Sequence, residues 1–432
     1  MRKFEYTTLI KYLIIISTVM ILGVFLFFIR PEQIKLNTIR VSIALMGMFS
    51  FFLVLNCKAF HYDEEFDFAK KYVGATLVIV IIFLFYTCYL YEYSLFSSFS
   101  LCVHYFYLLF SFGIIYVLKY EKREGDFWKR IICITMFFVV VRFIAWISFN
   151  YMDSSILINF VDEYSGWKRN GLHRLISGQT FPIVYILLVS RISNISHKGW
   201  GVLKLNGIPV RFEYFVILFM IFYEIFVTQS RYASVVMIIT FVWTLFLIRR
   251  KATSRLVISL IVLISIVCLI TSGFLDSFFS SFTYSGSQWL STLARYEGAN
   301  HFWNLFKNTG HSVGLGFVAN GYTTTKMFYR TSWLTYYIED LGIAGAFFRF
   351  GVFIIPIYAL LFLKAIKICI ISKKNNDEKC GLILATTIYM ILSCMGSNIY
   401  DAQTAFAVPF YVAIISYMDG RNKKVLHSGE MI

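Results

Sequence analysis

Charged residues are scarce in this chain. Of its 432 residues only 15% are Asp, Glu, Lys or Arg, whereas soluble domains contain about 25%. Apolar residues make up 58% of the chain and include 46 Phe and 29 Tyr. Apolar runs of about 20 residues are long enough to cross a bilayer core of about 30 Å as helices. The composition therefore predicts an integral membrane protein.

Several motifs of soluble enzymes and secreted proteins are also missing. The eight Cys residues show no CxxC or CxxH spacing, so neither a disulfide framework nor a zinc site is indicated. The chain has no P-loop, no GxGxxG, no HExxH and no paired Asp residues of a metal-dependent sugar-nucleotide transferase. If the chain is an enzyme, we expect metal-free chemistry, without a cofactor, on a donor that is already linked to a lipid.

The apolar runs predict an all-α polytopic membrane protein, a single domain over residues 1–432 with about twelve transmembrane helices. A run over residues 213–248 would be about 54 Å long as one helix. We therefore divide it into a hairpin with its tip at Thr228–Arg231. The tenth span is expected to start near Ile343, after an interfacial segment. The predicted helices cover residues 9–29, 39–56, 72–91, 98–118, 131–149, 178–195, 212–229, 232–248, 256–275, 333–363, 382–398 and 403–419.

The distribution of positive charge predicts the orientation. A net charge of +16 would suggest nucleic acid as a partner of a soluble chain, but in membrane proteins Lys and Arg accumulate in cytoplasmic loops. With the N-terminus inside, the inner segments hold more than twice as many Lys and Arg residues as the outer ones. We therefore expect no nucleic-acid partner, two cytoplasmic termini, and outward loops at residues 150–177 and, the largest, 276–332.

A few charged residues lie within or beside the predicted spans, in their outer halves. They include Arg142, Glu224, Arg349 and Arg231, the last in the sequence "TQSRYAS". Charges at such depth are costly and usually pair with one another or serve function. Arg231 could anchor at lipid head groups and Arg142 could pair with Glu224. The alternative is a site that opens outward.

The two long loops contain further candidates. Residues 292–306 have apolar residues at helical spacing, and "NTGHSVGLGF" is typical of a Gly-rich turn. Guanidinium groups bind phosphate through two hydrogen bonds, and aromatic faces pack against sugar rings. The arginines therefore suit a ligand that carries phosphate and sugar, although solvation or attraction to anionic lipid also explains each one alone. The ionisable loop residues are Lys168, Arg169, His173, Arg174, Arg295, Glu297, His301, His311, Lys326 and Arg330.

Three segments within residues 211–365 resemble the bacterial O-antigen polymerase and ligase superfamily. They are "TQSRYAS", "STLARYEGANHFW" followed by "GHSVGLGF", and "SWLTYYIEDLGIAGAFFRFG". Ligases of this superfamily have a histidine just before the family's "YL" element, where this chain reads "YRTSWLTYY" and has Thr331 and Ser332. The resemblance therefore favours a repeat-unit polymerase over a ligase.

The resemblance implies a glycosyltransferase in the bacterial cytoplasmic (inner) membrane. It would transfer a glycan from one undecaprenyl pyrophosphate carrier to another lipid-linked oligosaccharide, with a chain-length regulator protein as an optional partner. Arg231 and Arg295 would contact the pyrophosphate, and His311 or Glu297 would act as base. Arg169, Arg174 and Arg330, with Arg142 and Glu224, would bind substrate. A flippase for the same lipid, or a non-catalytic lipid or signal-peptide binder, is the alternative from another class.

Overall fold

The structure is a computed structural model. It describes residues 2–23, 36–122, 125–152, 168–169, 172–175, 177–194, 202–205, 208–248, 289–308, 313–318 and 336–428. The span predicted at residues 256–275 lies outside these ranges. So do most of the two predicted outward loops.

Helices dominate the described residues. The helices are α1 (Arg2–Gly23), α2 (Leu36–Leu55), α3 (Lys58–Tyr62), α4 (Asp67–Tyr91), α5 (Leu95–Cys102), α6 (Phe110–Tyr120), α7 (Asp126–Met152), α8 (Phe181–Ser193), α9 (Phe212–Phe222), α10 (Arg231–Ile248), α11 (Trp289–Asn308), α12 (Gly342–Phe350), α13 (Ile354–Lys374), α14 (Cys380–Gly396) and α15 (Val408–Ser428). Short 3₁₀ segments cover Glu64–Phe66, Val103–Leu109, Ile338–Leu341, Gly351–Phe353 and Ala405–Ala407, and a π-turn covers Tyr223–Val227. Two antiparallel hairpins lie in connections: β1 (Lys168–Arg169) with β2 (Leu172–His173), and β3 (Val202–Leu205) with β4 (Ile208–Arg211).

The helices have the character of membrane spans. Six helical stretches in the described part of the chain are long and apolar enough to cross a membrane. Large apolar side chains on their outer faces are more than half exposed, including Phe52 on α2 and Phe85 on α4, while Thr18 and Thr87 are buried inside. A soluble monomer rarely exposes apolar surface on this scale. The expected all-α membrane architecture is therefore present, and the number of twelve spans stays a prediction.

The hairpin tip at Thr228–Arg231 follows a change in helix type. α9 continues into the π-turn, where the amide of Thr228 donates to Tyr223 O at 3.0 Å. Gln229 then has a φ of 52°, a left-handed conformation that ends the helix. α10 begins at Arg231. The predicted break in the long apolar run is therefore confirmed.

The chain reverses direction at this tip. Val227, at the end of the π-turn, accepts a hydrogen bond from the amide of Leu175 just before α8, and α9 packs along α8. Ile248, the last residue of α10, and Ser193, the last residue of α8, both lie against Gly381. α9 therefore runs antiparallel to α8 and α10 runs parallel to it.

The predicted span from near Ile343 is interrupted. α12 ends at Phe350 because Gly351 has a φ of 54°, which an ordinary side chain rarely adopts. The long helix α13 begins only at Ile354 and continues to Lys374. Arg349 consequently lies on a short helix before the long one.

Ion pairs gather at the end of the bundle where α6 and α15 finish. Lys119 lies 2.5 Å from Asp63 and 3.1 Å from Glu65, and Lys424 also pairs with Glu65. This end corresponds to the predicted cytoplasmic side. The polar connections at the other end form the cavity described below.

The Gly-rich turn packs into the bundle at that other end. The amides of Leu315 and Gly316 donate to the carbonyls of Phe348 and Arg349 at 2.8 and 2.9 Å. The amide of Phe317 donates to Thr87 Oγ1 at 2.9 Å. The described part of the predicted turn, residues 313–318, therefore fixes the backbone of α12 against α4.

We predict that Gly314→Ala destabilises the protein. Gly314 has a φ of 118°, and a Cβ there would lie 2.7 Å from the amide nitrogen of Gly351. Backbone strain alone costs about 1–3 kcal/mol in such conformations. The thermal unfolding midpoint of the detergent-solubilised protein should fall accordingly. Gly74→Ala on α4 is the matched control because nothing lies within 4 Å of its Cβ position; an equal midpoint for both variants would contradict the prediction.

Candidate functional site

A cavity of about 950 Å³ opens between helix ends, on the side away from the ion-paired end. Its walls come from the starts of α2, α8 and α10, from the end of α5, from α11 and α12, and from the connection between α14 and α15. Ionisable groups in a helical membrane bundle mark functional sites by default. The ionisable residues that line this cavity are Arg40, His104, Arg174, Glu224, Arg295, Glu339, Asp340, Arg349 and Asp401.

Three of the predicted site residues meet in this cavity. Arg174 reaches it from the segment before α8, Glu224 from the π-turn and Arg295 from α11. Arg174 and Arg295 are more than a hundred residues apart in the sequence. Ser230 and Tyr232, the neighbours of Arg231, also line the cavity. Arg231 itself is the first residue of α10, and its side chain lies outside the described structure.

Hydrogen bonds connect Arg174 and Glu224 through the hairpin tip. Nε of Arg174 donates to the carbonyl of Thr228 at 2.8 Å, and Oγ1 of Thr228 donates to Oε2 of Glu224 at 3.2 Å. Burial lowers the pKa of the Arg174 guanidinium, and the nearby Glu224 carboxylate opposes this effect. π-turns occur frequently at functional sites because they shift a side chain out of helical register. Here the π-turn sets Glu224 beside the cavity.

The cavity wall also contains an ion pair between α12 and the 3₁₀ segment before it. Nη2 of Arg349 pairs with Oε1 of Glu339, and both side chains line the cavity. Arg349 is 8% exposed as a side chain and Glu339 is 29% exposed. The Gly-rich turn holds the Arg349 backbone, so the position of this pair depends on that turn.

Arg40 and Arg295 differ from Arg349 in their bonding. Both line the cavity, and neither forms a hydrogen bond or ion pair with another residue of the described ranges. Asp401 is close enough to Arg40 for electrostatic interaction. The cavity therefore presents two guanidinium groups whose donors are available to an anionic ligand.

Two other predicted residues lie elsewhere. Arg142 is buried and its Nη2 donates to the carbonyl of Leu22 at 2.6 Å, at the C-terminal end of α1. Glu297 accepts a hydrogen bond from the Tyr336 hydroxyl at 3.0 Å. Neither is among the described residues that line the cavity. Arg142 and Glu224 also have separate partners, so the ion pair considered between them is not formed.

The remaining predicted residues cannot be placed in the cavity. His311 and Arg330 lie outside the described residues. Arg169 belongs to β1, where it pairs with Leu172 on β2, and its side chain is not described. Their roles stay predictions.

Five ionisable cavity residues were not singled out from the sequence: Arg40, His104, Glu339, Asp340 and Asp401. Arg40 stands at the edge of a predicted span, and Glu339 and Asp401 stand in short connections, so each was consistent with ordinary solvation. His104 lies inside an apolar span. The signal that they share is an ionisable side chain near the outer end of a span.

Comparison with known proteins adds no assignment: no family model and no curated protein matches the chain. Among the described residues, no group of three or more His, Cys, Asp or Glu side chains is placed to hold a metal ion. The functional conclusion therefore depends on the cavity itself.

We predict that Arg349→Leu lowers stability because it leaves the Glu339 carboxylate without its partner. Hydrogen bonds to charged groups contribute about 1.5–3 kcal/mol. The thermal midpoint of the solubilised protein, followed by intrinsic fluorescence, should fall. The double variant Arg349→Leu/Glu339→Gln should recover part of the loss because no unpaired charge remains. A double variant less stable than the single one would show that Glu339 is not the partner that matters.

Proposed function

We propose that the chain polymerises undecaprenyl-pyrophosphate-linked oligosaccharide repeats at the outer face of the bacterial cytoplasmic membrane. The observation that carries this proposal is the arginine-lined cavity at one end of an apolar helical bundle. The pyrophosphate of a lipid carrier lies where hydrocarbon meets water, at the same depth as helix ends. A polar cavity at that depth can receive the head group while the lipid tail stays in the bilayer.

The charges of the cavity suit a pyrophosphate leaving group. Arg40 and Arg295 have available guanidinium donors, and Arg174, near Arg295, is held by the hairpin tip. Negative charge grows on the leaving phosphate as the bond to the sugar breaks. Donors that are already in position stabilise this charge without reorganisation. Arg231, at the start of α10, is the further arginine that the resemblance assigns to this role.

The rest of the lining suits a glycan. Tyr337, Tyr389 and Tyr411 offer aromatic faces, and Asn37 and Ser100 offer hydrogen-bonding groups. Ligand pockets typically have volumes of about 300–1,000 Å³. The cavity, at about 950 Å³, is therefore large enough for several sugar rings and a pyrophosphate.

The proposed reaction needs no cofactor. The oxygen of an acceptor hydroxyl forms a bond to the anomeric carbon of the donor glycan. The bond from that carbon to the pyrophosphate oxygen breaks, and its electron pair leaves with undecaprenyl pyrophosphate. The hydroxyl proton passes to a base. The cavity contributes orientation, the exclusion of water and stabilisation of the leaving group.

The glycan phenotype of a deletion strain tests the class of function. Single repeats that remain on the carrier at the outer face indicate a polymerase. Unattached full-length chains would indicate a ligase instead, and repeats held at the inner face would indicate a flippase. Either of the last two results would contradict the proposal.

We predict that Arg295→Ala and Arg231→Ala each reduce the amount of long-chain polysaccharide at least tenfold at equal expression. Each substitution removes charge that stabilises the leaving pyrophosphate, and single repeats should accumulate. Electrophoresis of extracted polysaccharide measures both species. Arg130→Ala is the matched control because Arg130 is exposed near the start of α7, on the ion-paired side. Wild-type chain lengths in both Arg295→Ala and Arg231→Ala would refute the assignment.

A further inference from the structure

His104 occupies an unusual position in the cavity wall. It lies on the 3₁₀ segment Val103–Leu109, directly after α5, and lines the cavity although only 5% of the residue is exposed. Its Nε2 has no hydrogen-bond partner among the residues that the structure describes. A buried polar group without a hydrogen-bond partner destabilises a protein. An atom in this situation at a cavity wall is suited to bond with whatever occupies the cavity.

Three of the four acidic groups of the cavity already accept hydrogen bonds or form an ion pair. Glu224 accepts from Thr228, and Glu339 pairs with Arg349. Asp401 accepts from the amide of Gln403 at 3.3 Å. Each of these three carboxylates therefore already has a hydrogen-bond or ion-pair partner. Nε2 of His104, in contrast, has no hydrogen-bond partner among the described residues, so its lone pair is open to the hydroxyl proton of a ligand in the cavity.

Neighbouring residues orient the His104 ring, and two arginines lie near it. The ring centroid lies 4.7 Å from that of Tyr105, and the ring interacts with the backbone of Tyr400. Arg40 and Arg349 are close enough for electrostatic interaction with the imidazole. An oriented ring next to an available guanidinium group can hold a sugar oxygen between them.

We propose that His104 is the base that accepts the proton of the attacking sugar hydroxyl. This role depends on the polymerase function proposed above. The proton moves to Nε2, and the electron pair of the oxygen forms the new bond to the anomeric carbon. The bond from that carbon to the pyrophosphate oxygen breaks, and undecaprenyl pyrophosphate leaves with the electron pair of the broken bond. The imidazolium then returns its proton to the departing pyrophosphate or to water.

The test uses the full-length purified chain in lipid nanodiscs. The substrate is the lipid-linked repeat extracted from the deletion strain, and farnesyl pyrophosphate serves as a probe of anion binding. A general base contributes about 10²–10⁴-fold to rate. We therefore expect His104→Ala to slow polymer formation at least 100-fold while its affinity for farnesyl pyrophosphate stays within about twofold. Added imidazole should restore part of the rate, because a small base can enter the space that the side chain leaves.

Two variants keep the test decisive. His104→Gln retains a hydrogen-bonding side chain but no basic nitrogen, so it should be as slow as His104→Ala and remain folded. His61→Ala, at an exposed position on α3, should keep the wild-type rate.

A wild-type rate in His104→Gln, or a slow His104→Ala that imidazole does not accelerate, would overturn the role of His104. If the wild-type chain makes no polymer from the same substrate, the polymerase function fails instead. The two failures are therefore distinguishable.

Discussion

The cost of charge inside an apolar bundle is the constraint on which this structure depends. Most of the chain avoids that cost by exposing apolar side chains and placing Lys and Arg at the ion-paired end. The cavity is the exception, since it gathers four arginines, four acidic residues and a histidine between helix ends. Partial pairing, as in Arg349 with Glu339, lowers the cost, whereas Arg40 and Arg295 form no hydrogen bond or ion pair within the described residues.

Two irregular backbone segments beside the cavity, the π-turn and the Gly-rich turn, hold these charges in position. The π-turn and left-handed Gln229 separate α9 from α10 and set Glu224 and Thr228 at the wall. The Gly-rich turn hydrogen-bonds to α12 and so fixes the carbonyls of Phe348 and Arg349. Interruptions of regular helix in a membrane protein are tolerated where they line a cavity or are buried in protein. The π-turn and the Gly-rich turn both lie beside the cavity or within the bundle, so both interruptions are tolerated.

Much of the fold could be predicted because composition and length limit what an apolar chain can do. The break at Thr228–Arg231 followed from helix length alone, and the helical part of the large loop followed from apolar spacing. The site was harder to predict, because residues that meet across the bundle leave no periodic pattern in the sequence. Arg174 and Arg295 were predicted from residue type, whereas Arg40 and His104 looked like an ordinary span edge and core residue. The break after α12 was missed because Gly351 differs from a tolerated helical glycine only in its backbone angle.

The most direct test of the central claim is polymer formation by the purified chain alone. The chain in nanodiscs would be supplied with the lipid-linked repeat from the deletion strain, without any other protein. We expect a ladder of lipid-linked oligomers, with one undecaprenyl pyrophosphate released for each bond formed. A folded chain that binds the lipid-linked repeat but leaves it as a single unit, with no release of undecaprenyl pyrophosphate, would contradict the account.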